Sequence, residues 1–164
     1  MHLVDPSITD NLLIVPFPYT EEHADFWLDL REQDTLPYTF FAIRRSDGFL
    51  IGSIGASVEE SKHSCEFGYW LAAEYRGMSL TPVAIQVYCK YMFQQFHLIH
   101  RMHGYVFAHN DASARALLKA GFVKESGILR HYHKKGEQYI DAIVYSLLST
   151  DEVPLVEIKA ARGK

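Results

Sequence analysis

The stretch EYRGMSLTPVAIQ (74–86) sets an arginine, a glycine and two hydroxyl residues ahead of an apolar run that opens near a proline. Such a turn can be a plain strand-to-helix connection. It can also be a cradle in which the unpaired N–H groups and positive end of a helix hold an anion. Its own residues leave both readings open. HLIHRMH (97–103) invites other chemistry, because His97, His100 and His103 would share one helical face and could approach a metal. No carboxylate accompanies them, and Gly104 with YVF beyond predicts that the helix has already ended. A functional zinc site needs three or four convergent ligands, so the expectation is half-exposed histidines at an element boundary and no metal. Cys65 and Cys89 are too far apart for a CxxC pair and fit a reducing cytoplasm.

The elements that must position these residues are legible from their patterns. NLLIVPF (11–17) reads as a short strand ended by the prolines of PFP. Thr20 caps a helix that carries Glu21 and Glu22 in its first turn and Ala24, Phe26, Trp27, Leu28 and Leu30 as an apolar stripe. YTFFAIRR (38–45) and FLIGSIGAS (49–57) form a hairpin about Asp47-Gly48. In CEFGYWLA (65–72), alternation puts Glu66, Gly68 and Trp70 on one face and Cys65, Phe67, Tyr69 and Leu71 on the other. Gly68 inside that strand suggests a bulge that would splay it from its neighbour.

Thr81 as cap and Pro82 as first residue start a helix that runs to about Phe96, apolar over more than one face and so buried against a sheet. RMHGYVFA (101–108) is a strand, and NDASARALLKAGF (110–122) a short helix capped by Asn110 or Asp111 and ended by Gly121. Two strands follow around KKGE, then a charged tail (151–164) expected to fray. The order makes one mixed α/β (α+β) domain over 1–150, with a central, mostly antiparallel sheet flanked by helices. Aromatics such as Phe26, Trp27, Phe40 and Phe41 are expected in the core. A net charge of −4 gives no support to nucleic-acid or anionic-membrane partners, and no window approaches the apolar length of a membrane span.

Taken in order, GYWL followed by YRG, then Asn110, Ser113, Leu117, Gly121 and Phe122 in the spacing N-x-x-S-x-x-x-L-x-x-x-G-F, resemble the GNAT acetyltransferases, nearest their RimJ/RimL-type branch. The resemblance covers nearly the whole chain, LLIVPFPYTEEHA looking like the branch's first strand and helix. It implies acetyl-CoA as the acyl donor, a primary amine as acceptor (a protein N-terminus or a small-molecule amine), and a monomer or homodimer. The implied pyrophosphate turn is Arg76, Gly77, Met78, Ser79, Leu80 and Thr81. Only Arg76 matches the family's Q/R-x-x-G-x-G/A outright. Ser79 stands where the central glycine is expected and Thr81 where glycine or alanine is, so side chains occupy positions that normally let backbone approach phosphate.

The resemblance further implies that the pantetheine arm lies in a slot between splayed strands, pairing with backbone at Leu71, Ala72 and Ala73, where a backbone N–H polarises the acetyl carbonyl. Acetyl transfer needs a neutral amine, and Glu66 is the candidate base, acting through water. Its alternative is a carboxylate paired with a neighbouring strand. The branch can place a base glutamate just after YWL, but Ala72 and Ala73 stand there, with Glu74 one further on. Ser113 is the implied acid for the departing thiolate and Asn110 a holder of the pantetheine amides, the alternative being a plain helix start. Arg115 and Lys119 could meet the coenzyme's phosphates, though their positions read rather as solvated surface. Two other function classes remain: a catalytically silent acyl-CoA-binding module on this fold, and an interaction domain without coenzyme.

Overall fold

The computed structural model describes residues 2–32, 38–59 and 63–158. A 3-10 turn (His2–Val4) leads into a short helix α1, Pro6–Thr9. Asp5 caps it, its carboxylate accepting from the Ser7 N–H at 2.8 Å, and Pro6 supplies a first position that needs no donor. The strand expected at 11–17 does not form. Pro16 and Pro18 lack the N–H groups a ladder needs, and the amides of Asn11 and Leu12 turn back to the carbonyls of Ile8 and Thr9.

Helix α2 (Glu21–Glu32) starts as its sequence predicts, with the Thr20 hydroxyl accepting from the His23 N–H at 3.4 Å. The aromatic expectation holds only in part. Phe41 meets Tyr88 edge-on at 5.3 Å in the core, while Phe26 is 65% exposed. β1 (Tyr38–Arg44) and β2 (Leu50–Val58) form the hairpin, Gly48 taking the left-handed conformation (φ +86°) that its turn requires.

After β3 (Ser64–Leu71) and a 3-10 turn at Ala73–Tyr75 come α3 (Leu80–Gln95), β4 (Arg101–Phe107) and α4 (Asp111–Lys119). Then follow β5 (Val123–Lys124), β6 (Leu129–Lys135) and β7 (Gln138–Leu148). The seven strands make one sheet in the order β1-β2-β3-β4-β7-β5, with β6 also on β7. Every pairing is antiparallel except β3 with β4.

That parallel pairing sets the site. It joins Ser64–Glu66 to Arg101–His103 and then stops, although β3 runs on to Leu71 and β4 to Phe107. Each strand keeps its antiparallel partner over its length, β3 on β2 and β4 on β7. The weaker parallel ladder is therefore the one that opens. Gly68 carries no bulge: it sits in unbroken register opposite Gly55, and a Cβ added there would meet nothing within 4 Å.

On one face of the sheet, α3 and α4 close the core, with Ile85, Tyr88 and Met92 fully buried against Phe67, Met102 and Leu147. The other face carries Glu66, His103 and Tyr105, since Glu66 and His103 are register partners and Tyr105 lies two positions on. Residues 151–154 are held rather than frayed: Gln86 donates to the Pro154 carbonyl at 2.8 Å, and Asp151 accepts from the Leu148 N–H at 2.8 Å. Among the described residues no helix is long and apolar enough to cross a membrane.

Candidate active site

The slot between β3 and β4 opens toward the turn that begins α3. Helix α3 starts at Leu80 with Ser79 as its cap, so Thr81 and Pro82 lie inside the first turn and Thr81 is not the cap. The shift follows from backbone shape, since Ser79 is left-handed (φ +62°, ψ +16°) and no helix continues through it. Gly77 is also left-handed, at φ +80°. A serine thus adopts the conformation glycine reaches without cost. Its hydroxyl makes no cap bond to the helix but accepts from the Lys119 ammonium at 2.6 Å. Lys119, read from the sequence as solvated surface rather than a phosphate contact, lies beside the positive end of α3.

Arg76, the residue that best matches the expected motif, is engaged otherwise. Its Nε donates to the Leu71 carbonyl at 3.2 Å and its Nη1 to the Ser7 hydroxyl at 3.1 Å, tying the end of β3 to α1. Gly77 leaves open space where a side chain would be, and Met78 is half-buried beside it.

Of the backbone expected to pair with a ligand, the Ala72 N–H already donates to Ile51 at 2.8 Å, and Ala73 accepts from the Arg76 N–H in the 3-10 turn. Because Ala72 pairs with β2, antiparallel alternation directs the amide groups of Tyr69 and Leu71 the other way, toward the space β4 has left. The edge available for strand-like pairing therefore lies at Tyr69 and the Leu71 N–H rather than at Ala72 and Ala73, the Leu71 carbonyl being taken by Arg76.

Asn110 caps α4, its Oδ1 accepting from the Ser113 N–H at 3.1 Å. The Ser113 hydroxyl lies 2.7 Å from the phenol oxygen of Tyr69 on β3. Sequence reasoning missed Tyr69. Alternation put it on the face with Cys65, Phe67 and Leu71, but nothing local connects it to a residue 44 positions away. Burial pushes its phenol up to about 12.

Glu66 sits on the opposite face of β3 and makes no hydrogen bond or ion pair with the described residues. Desolvation on the sheet face, with a smaller push from the negative charge of Glu59, raises its carboxyl above the ordinary glutamate value. Its neighbours are buried His103, which lies 3.2 Å from the Ser64 hydroxyl and 3.4 Å from the Glu59 carboxylate, and Tyr105, stacked on Tyr132 at 4.5 Å. Burial holds His103 below the usual imidazole value, hence neutral. The structure thus brings Ser113 and Ser79 to α4 on one face of the sheet and sets Glu66 on the other.

Burial pushes the Cys65 thiol up to about 11 and raises Cys89 further, which denies both a reactive thiolate. Helix α3 ends before His97, and His103 belongs to β4, so the three histidines share no helical face. No group of three metal-binding side chains converges among the described residues. A cleft of about 980 Å³ lies between residues 10–17 and the β6–β7 hairpin, bordered by Asp10, His109, His131 and Asp141. A smaller hollow of about 400 Å³ runs between α3 and residues 147–155, away from the slot.

The sequence profile described as Acetyltransferase (GNAT) domain matches residues 2–123. The N-acetyltransferase YoaA of Bacillus subtilis (strain 168), named as uncharacterized, is 38% identical over 111 residues, which cover 66% of this chain and 61% of YoaA. The chain thus spans about three fifths of that relative. The N-acetyltransferase p20 of Bacillus licheniformis, also named as uncharacterized, is 28% identical over 153 residues, 90% of this chain and 83% of p20. Among solved structures, spermidine N-acetyltransferase from Vibrio cholerae, in complex with CoA and spermine, superposes with a TM-score of 0.76 at 19% identity, covering 92% of this chain and 87% of that one. A GNAT-family acetyltransferase from Bacillus anthracis superposes with a TM-score of 0.76 at 21% identity, covering 90% and 84%.

Proposed function

This chain belongs to the GNAT acetyltransferase family, and on that premise we propose that it moves the acetyl group of acetyl-CoA directly to a primary amine, in the manner of the RimJ/RimL-type branch. The observation that carries the reading is the short pairing between β3 and β4. Past Glu66 and His103 the parallel ladder stops, which leaves the Tyr69 and Leu71 amides of β3 without a ladder partner on β4, with Ser113 bonded to Tyr69 on one face of the sheet and Glu66 on the other. A thioester along that edge would be reached by the amine from one side while its sulfur leaves on the other.

The chain's residues fit the coenzyme. The left-handed Gly77 and Ser79 turn the backbone into the N-terminus of α3, whose first amides have no partner within the helix. Lys119 adds a cation at the same point. These groups would hold the pyrophosphate, with Arg76 bracing the turn. The edge at Tyr69 and Leu71 would take the pantetheine arm, with Asn110 near it. When bound, acetyl-CoA supplies an acyl group already activated as a thioester. Glu66, with its raised carboxyl, accepts the ammonium proton through water. The Ser113 hydroxyl donates toward the departing sulfur. Buried Cys65 and Cys89 leave no thiol for an acetyl-enzyme, which supports direct transfer in a ternary complex. The same free cysteines suit a reducing cytoplasm.

Acidic Glu59 and Glu66, together with Tyr105 and Tyr132, suit a cationic amine acceptor rather than nucleic acid or membrane. The neighbour crystallised with spermine acts on such an amine. Two measurements test the reading. Acetyl-CoA at a hundredfold above its Kd should stabilise the protein by about 2.7 kcal/mol, and a panel of protein N-terminal peptides, polyamines and aminosugars should include an acceptor. Stabilisation without turnover would mark a silent coenzyme-binding module. No stabilisation would leave an interaction domain.

A further inference from the structure

The contact between Tyr69 and Ser113 links the two walls of the slot. Tyr69 belongs to β3 and Ser113 to the first turn of α4, and their oxygens lie 2.7 Å apart. That is a full hydrogen bond, whereas the phenol's other neighbour, the Ser113 carbonyl at 3.4 Å, lies beyond good O–H···O distance. The phenol is the more acidic hydroxyl and the serine oxygen the better acceptor. The favoured arrangement therefore has Tyr69 donating to Ser113 Oγ, which turns the serine's own hydrogen away from Tyr69. The serine backbone is pinned as well, since its N–H donates to Asn110 Oδ1 at 3.1 Å.

We propose that Tyr69 is a positioning residue for thiolate departure: by donating to Ser113 Oγ it fixes the serine hydroxyl with its hydrogen aimed into the slot, at the leaving sulfur. The inference rests on Ser113 serving that sulfur. Glu66 takes the ammonium's first proton through water and passes it to solvent before attack; as the N–C bond forms, the C–S bond breaks with its electron pair staying on sulfur, and the second proton, shed by the nitrogen, follows through the same water to Glu66. Tyr69 gives up no proton. Its phenol, held near 12 by burial, is a far weaker acid than an ordinary thiol near 8.5. It remains a donor across the working range, and the sulfur leaves as a thiolate bonded to Ser113.

The test uses Tyr69→Phe, Ser113→Ala and the double variant. It follows three readouts: acetyl-CoA affinity by calorimetry, kcat, and the pH titration of the thiol of bound CoA by its thiolate absorbance. Tyr69→Phe is expected to leave affinity within about twofold and to lower kcat about three- to tenfold, the worth of one hydrogen bond. It should also raise the pH at which the bound thiol ionises. In the Ser113→Ala background it should do nothing further. An equal loss of kcat in both backgrounds, or a wild-type thiol titration in Tyr69→Phe, overturns the proposal. Ser113→Ala with wild-type kcat and thiol titration removes the Ser113 reading and Tyr69's role with it. Loss in Ser113→Ala but not in Tyr69→Phe removes only the role of Tyr69. Should Tyr69→Phe fail to bind CoA, a fluorinated tyrosine placed at 69 keeps the hydroxyl while making it more acidic. The alkaline loss of kcat should then begin at lower pH, and an unmoved limb refutes the proposal.

Discussion

Lys119, on the last turn of α4, places its ammonium 2.6 Å from the hydroxyl of Ser79, the left-handed residue that opens α3. A cation at the positive end of a helix is repelled by the dipole unless an anion lies between or beside them. Within the described residues no carboxylate pairs with Lys119. The negative end of its own helix α4 offsets part of that repulsion, and on the proposed function a coenzyme phosphate would supply the anion.

Removing that cation should therefore weaken the coenzyme more than the protein. Lys119→Met is expected to lower acetyl-CoA affinity about three- to tenfold, a charge-assisted bond discounted for its exposure. The loss should shrink as salt is raised. Calorimetry at two ionic strengths checks it, and unchanged affinity at low salt would return Lys119 to the surface role its sequence suggested.

Ser79 can be changed in two opposite senses. Ser79→Gly relieves a left-handed side-chain residue, worth about 1–2 kcal/mol, against the loss of one partly exposed hydrogen bond. The melting temperature should hold or rise, and coenzyme affinity should hold or improve. Ser79→Glu sets a carboxylate against Lys119 and the helix end, so the fold should survive while coenzyme binding is abolished by charge against the diphosphate. Weaker binding in Ser79→Gly would mean that the hydroxyl is itself a ligand.

The pH dependence turns on Glu66. Its folded-state carboxyl lies above the ordinary value of 4.5 because of desolvation first and Glu59 second. A base must be deprotonated, so the acid limb of the rate should fall above that ordinary value, and Glu66→Gln should flatten it. The stability effect has the opposite sense. The folded protein holds this proton more tightly than the unfolded chain, so stability is lost as pH rises from the unfolded to the folded value. Glu66→Gln should then stabilise at neutral pH and not below about pH 4. An acid limb that persists in Glu66→Gln would assign the base elsewhere.

Among the strand glycines, need differs by position. A Cβ at Gly52 would sit 2.6 Å from the backbone carbonyl of Trp70, which cannot swing aside, while Gly68 faces open space. Gly52→Ala should cost about 1–3 kcal/mol, and Gly68→Ala should unfold within about 0.5 kcal/mol of the parent. Thermal or urea denaturation separates them, and equal losses would refute the idea that Gly68 is free of backbone constraint.

Residues 45–49, 110–113 and 121 show what a sequence decides alone. The Asp47-Gly48 turn, the Asn110 cap and the left-handed Gly121 after α4 each depend on side chains within a few positions, so local chemistry specifies them. The alternation of CEFGYWL and the order of the main strands and helices from α2 onward are legible for the same reason. Tertiary structure alone decided the rest. NLLIVPF has the apolar run of a strand but no ladder partner among the described residues, and α3 begins at Leu80, after Ser79, because the chain leaves β3 through a left-handed turn. The slot opens where two antiparallel pairings prevail over one parallel ladder, not at the glycine that marked it in the sequence. Tyr69 with Ser113 and Ser79 with Lys119 join residues 44 and 40 positions apart. No periodicity spans such distances, since a contact of that range exists only once sheet and helices have packed.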